Sequence, residues 1–149
     1  MKKILLALFV SFFALGAFAQ SADKITEVIE SNEITYEQGA WLCHSFAEEN
    51  GEQASYSEAM EAAVRKGWIS SGAVAQNPMA LKELCGLCVK ASGLKGGLFY
   101  RISKADRYAF KELKSNGILD SYSDPSMKVS GQNAVAILNG CIKKAGGSK

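Results

Sequence analysis

The chain resembles itself at three places, and that self-similarity limits its fold more than any single motif does. Laid without gaps, Ile34–Gly51 falls on Val129–Gly146, with Thr35 on Ser130, Leu42 on Ile137, Ala47 on Ile142 and Gly51 on Gly146. Gln76–Gly93 takes the same frame, with Asn77 on Ser130, Leu84 on Ile137, Cys88 on Cys141 and Gly93 on Gly146. Self-similarity at a fixed spacing marks one supersecondary unit used repeatedly.

Each copy reads as a helix with one buried face. Apolar residues recur at helical spacing in Gly39, Leu42, Cys43, Phe46, Ala47, then in Leu81, Leu84, Cys85, Cys88, Val89, then in Ala134, Ile137, Leu138, Cys141, Ile142. Thr35 with Gln38 makes a capping box, Asn77 caps the second helix with Pro78 in its first turn, and Ser130 caps the third. Gly51, Gly93 and Gly146 are placed as left-handed ends. A second helix precedes each of these. Ser55-x-x-Glu58 opens one and Ser103-x-x-Asp106 its counterpart, and Ala59, Met60, Ala63, Gly67, Trp68, Ile69 align on Ala109, Phe110, Leu113, Gly117, Ile118, Leu119. A shorter version runs from Asp23 to Ser31. The expected fold is therefore all-α: three helix–loop–helix repeats over about 22–51, 54–93 and 103–146. Leu94–Arg101 links the last two repeats, with Leu98–Ile102 as a short extended piece.

The N-terminus predicts export. Lys2 and Lys3 precede the apolar stretch Ile4–Gly16, and Ala17-Phe18-Ala19 is a small-x-small cleavage site. Residues 1–19 are thus expected to be a signal peptide and 20–149 one domain in the periplasm or cell envelope, with no membrane span after cleavage. In an oxidising compartment Cys43, Cys85, Cys88 and Cys141 read most simply as two disulfides, with three possible pairings. A zinc site from the four thiols is an alternative, and so is a redox dithiol in Cys85-Gly86-Leu87-Cys88. The redox motif would need a strand before it and a helix start beneath it, and neither precedes Cys85. His44 is the one histidine, and with no paired carboxylate or serine motif it supports no triad. No cofactor and no metal site is expected. Between Asp23 and Glu61 stand ten acidic residues and one basic, and from Ala62 onward fourteen basic and five acidic. The two halves can neutralise each other or offer a basic face to an anionic polymer. Without a basic cluster, nucleic acid is not an expected partner.

The three units resemble the S-layer homology domain, most closely in Asp106-Arg107-Tyr108-Ala109-Phe110, Asn116-Gly117-Ile118-Leu119 and Val129-Ser130. The resemblance covers roughly Ala22 to Gly146. It implies a pseudo-threefold helical core and non-covalent attachment to cell-wall carbohydrate or peptidoglycan. The family's Ile-Thr-Arg-Ala-Glu signature is altered: Tyr36, Pro78 and Gly131 stand at the arginine position, and Gln38, Ala80 and Asn133 at the glutamate position. If the second helices of the units surround such an axis, residues at one repeat level meet, which favours Cys43–Cys85 and Cys88–Cys141 as disulfides. Trp41 is placed off the buried stripe, either stacking on a sugar or packing on its own repeat, and Trp68 is expected in the core. Binding surface is expected near Tyr36, Gln38, Trp41, Tyr122 and Asp124. The expected function is a non-catalytic envelope module that holds cell-wall glycan or an envelope protein. The alternatives are a periplasmic thiol-disulfide oxidoreductase using Cys85 and Cys88, and a protein-interaction subunit without glycan affinity.

Overall fold

The computed structural model describes residues 21–147, so the expected signal peptide over residues 1–19 lies outside the described residues. The described chain is all-α. Its helices are α1 (residues 21–30), α2 (Tyr36–Ala47), α3 (Tyr56–Arg65), α4 (Leu81–Ser92), α5 (Leu98–Ser103), α6 (Asp106–Ser115) and α7 (Gly131–Gly146), with a 3-10 turn at Gly51–Gln53. Among the described residues extended pairing is limited to two isolated bridges, Thr35 with Pro78 and Ala80 with Lys128.

Helix α4 occupies the centre and packs on α2, α6 and α7. Its sequence demands that position. Leu81, Leu84, Cys85, Gly86, Leu87, Cys88 and Val89 are all buried, which covers nearly the whole circumference. A helix apolar on every side is stable only when other elements surround it. The neighbours bring one buried face each: Leu42 and Cys43 from α2, Ala109, Phe110 and Leu113 from α6, and Ala134, Ile137, Leu138 and Cys141 from α7. The α2 stripe stops short of its expected end, for Phe46 is 45% exposed.

Backbone hydrogen bonds tie the starts of α2, α4 and α7 together. Donors in the first turn of a helix lack partners within it. Here Tyr36 and Glu37 donate to the carbonyls of Asn77 and Ala75, Leu81 and Lys82 to those of Met127 and Pro125, and Gly131 to that of Ser31. The buried residues just before these helices, Ile34, Met79 and Val129, are linked as well: Ile34 donates to Val129 at 2.7 Å, and Met79 to Ile34 at 2.9 Å.

Several local expectations hold and several are corrected. The Thr35/Gln38 and Ser55/Glu58 capping boxes are present, and Gly67, Gly93 and Gly117 take positive φ of 69°, 67° and 72°. The second helix, however, is capped at Ala80 rather than Asn77, three residues later than expected. The backbone N–H of Ala80 is held by the Glu83 carboxylate at 2.9 Å. Asn77 and Pro78 instead run extended beside α2, where their carbonyls and backbone serve Tyr36 and Thr35. Ser103 ends α5 and accepts from the Ala105 N–H, and Ala105 is the cap of α6. Leu98–Ile102 is helical, not extended, because Gly97 starts a turn that Arg101 closes onto the Gly97 carbonyl. Asn50, not Gly51, takes the left-handed conformation after α2, and Gly146 remains within α7.

Gly131 is required by the approach of α1. A Cβ built there would lie 1.5 Å from the Val28 carbonyl oxygen, whereas nothing lies within 4 Å of one at Gly146. Gly131→Ala should therefore destabilise the fold by about 1–3 kcal/mol, the usual cost of overpacking. Gly146→Ala should leave stability unchanged or raise it by a few tenths of a kcal/mol to about 1 kcal/mol. Urea unfolding midpoints of the two variants check this pair, and equal midpoints would contradict the packing of α1 on α7.

Candidate functional site

The four cysteines lie together on the central helices and all are buried thiols. The Cys43 and Cys88 sulfurs approach to 4.0 Å. The expected Cys43–Cys85 pairing is thus not the closest approach for Cys43. The reason is the three-residue shift at the start of α4: counted from the observed caps Thr35 and Ala80, it is Cys88 that stands level with Cys43. Burial first, and then the neighbouring Cys88 and Cys141, push the Cys85 thiol up. Cys88 is raised by its hydrogen bond with Cys43 and by burial, and burial pushes Cys141 up to about 12. Thiols held protonated in this way are poor nucleophiles and poor metal ligands. Among the described residues no group of three or more His, Cys, Asp or Glu side chains is arranged to hold a metal ion.

The five residues expected to bind stand in different settings. Trp41 is 1% exposed, its indole N–H donates to the Ala54 carbonyl at 3.1 Å, and its ring meets Tyr56 edge-on at 6.0 Å. It is a core residue, and the hydrogen-bond and ring partners it takes, Ala54 and Tyr56, belong to the second repeat rather than to its own. Gln38 is buried and its side chain accepts from the Thr35 N–H. Asp124 accepts from the Ser126 hydroxyl and from the Ser126 N–H in the turn before α7, and these bonds, the hydroxyl's first, keep its carboxyl below the usual range. Tyr122 is 94% exposed on the same loop. Tyr36 lines a cavity of about 330 Å³ with Trp68, Ile69, Met79, Glu83 and Asp106. Burial, then a hydrogen bond with Glu83, pushes its phenol up to about 12.

A larger cleft of about 570 Å³ lies beside it, between the end of α3, the last turn of α4 and α5. Lys66, Lys90, Lys95, Arg101 and Lys104 line it, together with Trp68 and Tyr100, and no carboxylate does. The aromatic rings carry two of the cations. Lys66 Nζ stands 4.5 Å from the Trp68 ring centroid and Lys104 Nζ 5.2 Å from that of Tyr100. Lys66 is paired with Glu48 across the mouth, and Lys90 with Asp106 at 3.4 Å. Among the described residues no carboxylate pairs with Lys95, Arg101 or Lys104. The site therefore holds excess positive charge beside two aromatic surfaces.

Gly86 makes the Lys90–Asp106 pair possible. A Cβ at Gly86 would fall 1.9 Å from Asp106 Oδ1, so the carboxylate rests directly on the α4 backbone. Lys90 Nζ also donates to the Trp68 carbonyl at 3.2 Å, which ties the tryptophan to the same pair. Trp68 was expected in the core; it is half-buried and forms the wall between the two cavities. The signal missed in the sequence is the absence of acid from Leu84 to Ala105, a stretch that carries Lys90, Lys95, Arg101 and Lys104.

Comparison with family models, with curated proteins and with solved structures finds no match.

Burial raises the Asp106 carboxyl above its ordinary value, and Lys90 offsets this only in part. A raised carboxyl binds its proton more tightly in the folded chain than in the unfolded one. Its contribution to stability is present in full below the ordinary aspartate value and is lost as pH rises through the folded value. Asp106→Asn removes that loss. The stability of the variant relative to the parent should therefore improve steadily as pH rises from about 3 to about 7. Urea midpoints across that range measure it, and a difference that moves the other way would mean that the Lys90 pair outweighs desolvation.

Proposed function

We propose that this protein is an exported, non-catalytic binding module of the cell envelope that holds an anionic glycan in the cleft between α3, α4 and α5. The observation that carries this reading is the lining of that cleft: five cations and two aromatic rings, with no carboxylate among them. Lysine and arginine suit carboxylate or phosphate groups on a polymer, and Trp68 and Tyr100 offer flat faces to sugar rings. The buried, protonated state of Cys85 and Cys88 supports a binding role over the oxidoreductase alternative, since a redox dithiol needs an accessible thiolate.

The S-layer homology resemblance gains support from the observed caps. With Ala80 as the second cap, Glu83 takes the signature's glutamate position and fills its capping role. The mutual bonding of the helix starts supports three repeats closing about a pseudo-threefold axis. The family's arginine positions become Tyr36, Leu81 and Gly131. Leu81 is buried, and at Gly131 the Val28 carbonyl leaves no room for any side chain. In this proposal Lys95, Arg101 and Lys104 supply the charge that those arginines would have brought.

We further assign the oxidised state as Cys43–Cys88 with Cys85–Cys141. The 4.0 Å sulfur separation supports the first bridge, and the second joins the two buried thiols that then remain. Each bridge forms by exchange with an oxidised dithiol carrier of the export compartment, which accepts the two electrons and two protons that the thiol pair gives up. The exchange belongs to folding, before burial closes over the sulfurs. Peptide mapping of the exported protein without reductant should recover Cys43 linked to Cys88. A Cys43–Cys85 peptide would overturn this assignment.

Sedimentation with purified cell-wall sacculi tests the function. The parent should enter the pellet, and a variant with Lys95→Glu and Lys104→Glu, both at exposed positions, should do so several-fold less. Equal pelleting would remove the cleft from the binding site. A parent that stays in the supernatant would favour the protein-interaction subunit.

A further inference from the structure

We propose that α5 seats the protein on the surface of an anionic phospholipid bilayer. Leu98, Phe99 and Ile102 are 67%, 70% and 74% exposed, and they stand within two turns of one six-residue helix. Three large apolar side chains presented together are a contact surface, unlike single exposed residues scattered over a fold. The helix is held firmly enough to present them. Tyr100 is buried beneath it, and Gly96 and Gly97 let the chain pass close to the Tyr100 ring and the Glu112 carboxylate.

Charge identifies the occupant. On one flank Phe99 stacks on Tyr108 at 5.8 Å, and Arg107 and Lys111 lie 5.6 and 5.7 Å from the same tyrosine ring. On the other flank Lys104 stands over Tyr100, and Arg101 belongs to α5 itself. The apolar patch is thus edged by cations on two sides. Glu112, the carboxylate in the groove behind it, faces Gly97 and accepts from Asn116 at 3.1 Å. Apolar side chains that enter the acyl boundary, with cations around them at headgroup level, are the arrangement that binds interfacial helices to anionic lipid. No helix among the described residues is long and apolar enough to cross a membrane, so the attachment is to the surface. Arg101 and Lys104 are shared with the basic cleft, but Leu98, Phe99 and Ile102 do not line it, and the contact does not rest on the glycan reading.

Vesicle sedimentation tests the proposal, with protein recovered from expressing cells and its N-terminus defined by mass so that the apolar leader does not contribute. The probes are phosphatidylcholine vesicles with and without phosphatidylglycerol. The parent should pellet with the phosphatidylglycerol vesicles, and added salt should weaken this. A variant with Leu98→Ser, Phe99→Ser and Ile102→Ser should bind roughly tenfold less or weaker still, through its lost apolar burial. It should keep its helical circular dichroism and its pelleting with sacculi. Three results would overturn the proposal. They are failure of the parent to bind anionic vesicles, equal binding of the triple-serine variant, and equal binding to phosphatidylcholine alone. Sedimentation velocity without lipid gives a fourth: a dimer that the serine variant abolishes would make a second copy of the chain the occupant.

Discussion

Everything else in this fold is arranged around the burial of α4. Its thiols and leucines leave almost no polar surface, so three other helices must cover it. The same burial fixes the chemistry of the cysteines, because an apolar interior disfavours the thiolate. It also decides where polar function can occur. After Lys82 and Glu83 in the first turn, Lys90 is the next α4 side chain to come out of the core, and it does so into the basic cleft. Gly86 extends that reach by letting Asp106 lie on the helix backbone and hold the lysine.

The helices were largely legible from apolar spacing and from Thr35, Ser55 and Ser130, whose side chains cap where they were expected to. The beginning of α4 was not. Asn77-Pro78 is a strong local start signal, and Ala80 is a weak one. Tertiary contact overrode the local preference, since the Asn77 carbonyl is needed by the Tyr36 N–H and Glu83 can cap from within the helix. That shift of three residues carried the cysteine register with it. Periodicity inside α4 could not reveal the error, because a helix buried all round shows no preferred face.

The candidate site was less legible, for a related reason. Four of its five cations lie in the acid-free stretch Leu84–Ala105, but that they meet, and meet Lys66, follows only from the convergence of α3, α4 and α5. Trp41, placed off the buried stripe, is buried, and Trp68, expected in the core, is half-buried against it. The position of Trp41 on the helical wheel faces the Gly51–Gln53 turn and α3 rather than solvent, and the indole N–H finds a carbonyl there. Of the two ion pairs among the described residues, Lys66–Glu48 joins the acidic and basic halves of the chain and Lys90–Asp106 lies within the basic one.

The bonding of residues 28–34 to residues 129–131 has a kinetic consequence. Ile34 bonds to Val129 and Gly131 to Ser31, so the first and last parts of the described chain latch onto each other. An open array of repeats can begin to order anywhere and can lose an end repeat without unravelling. A latched ring cannot. Its closing contact joins segments far apart along the chain and carries the entropy of a long loop. Ordering should therefore be cooperative and complete only once the C-terminal helix has emerged. Until then the four thiols stay open to solvent, and the core closes over them only in the last step.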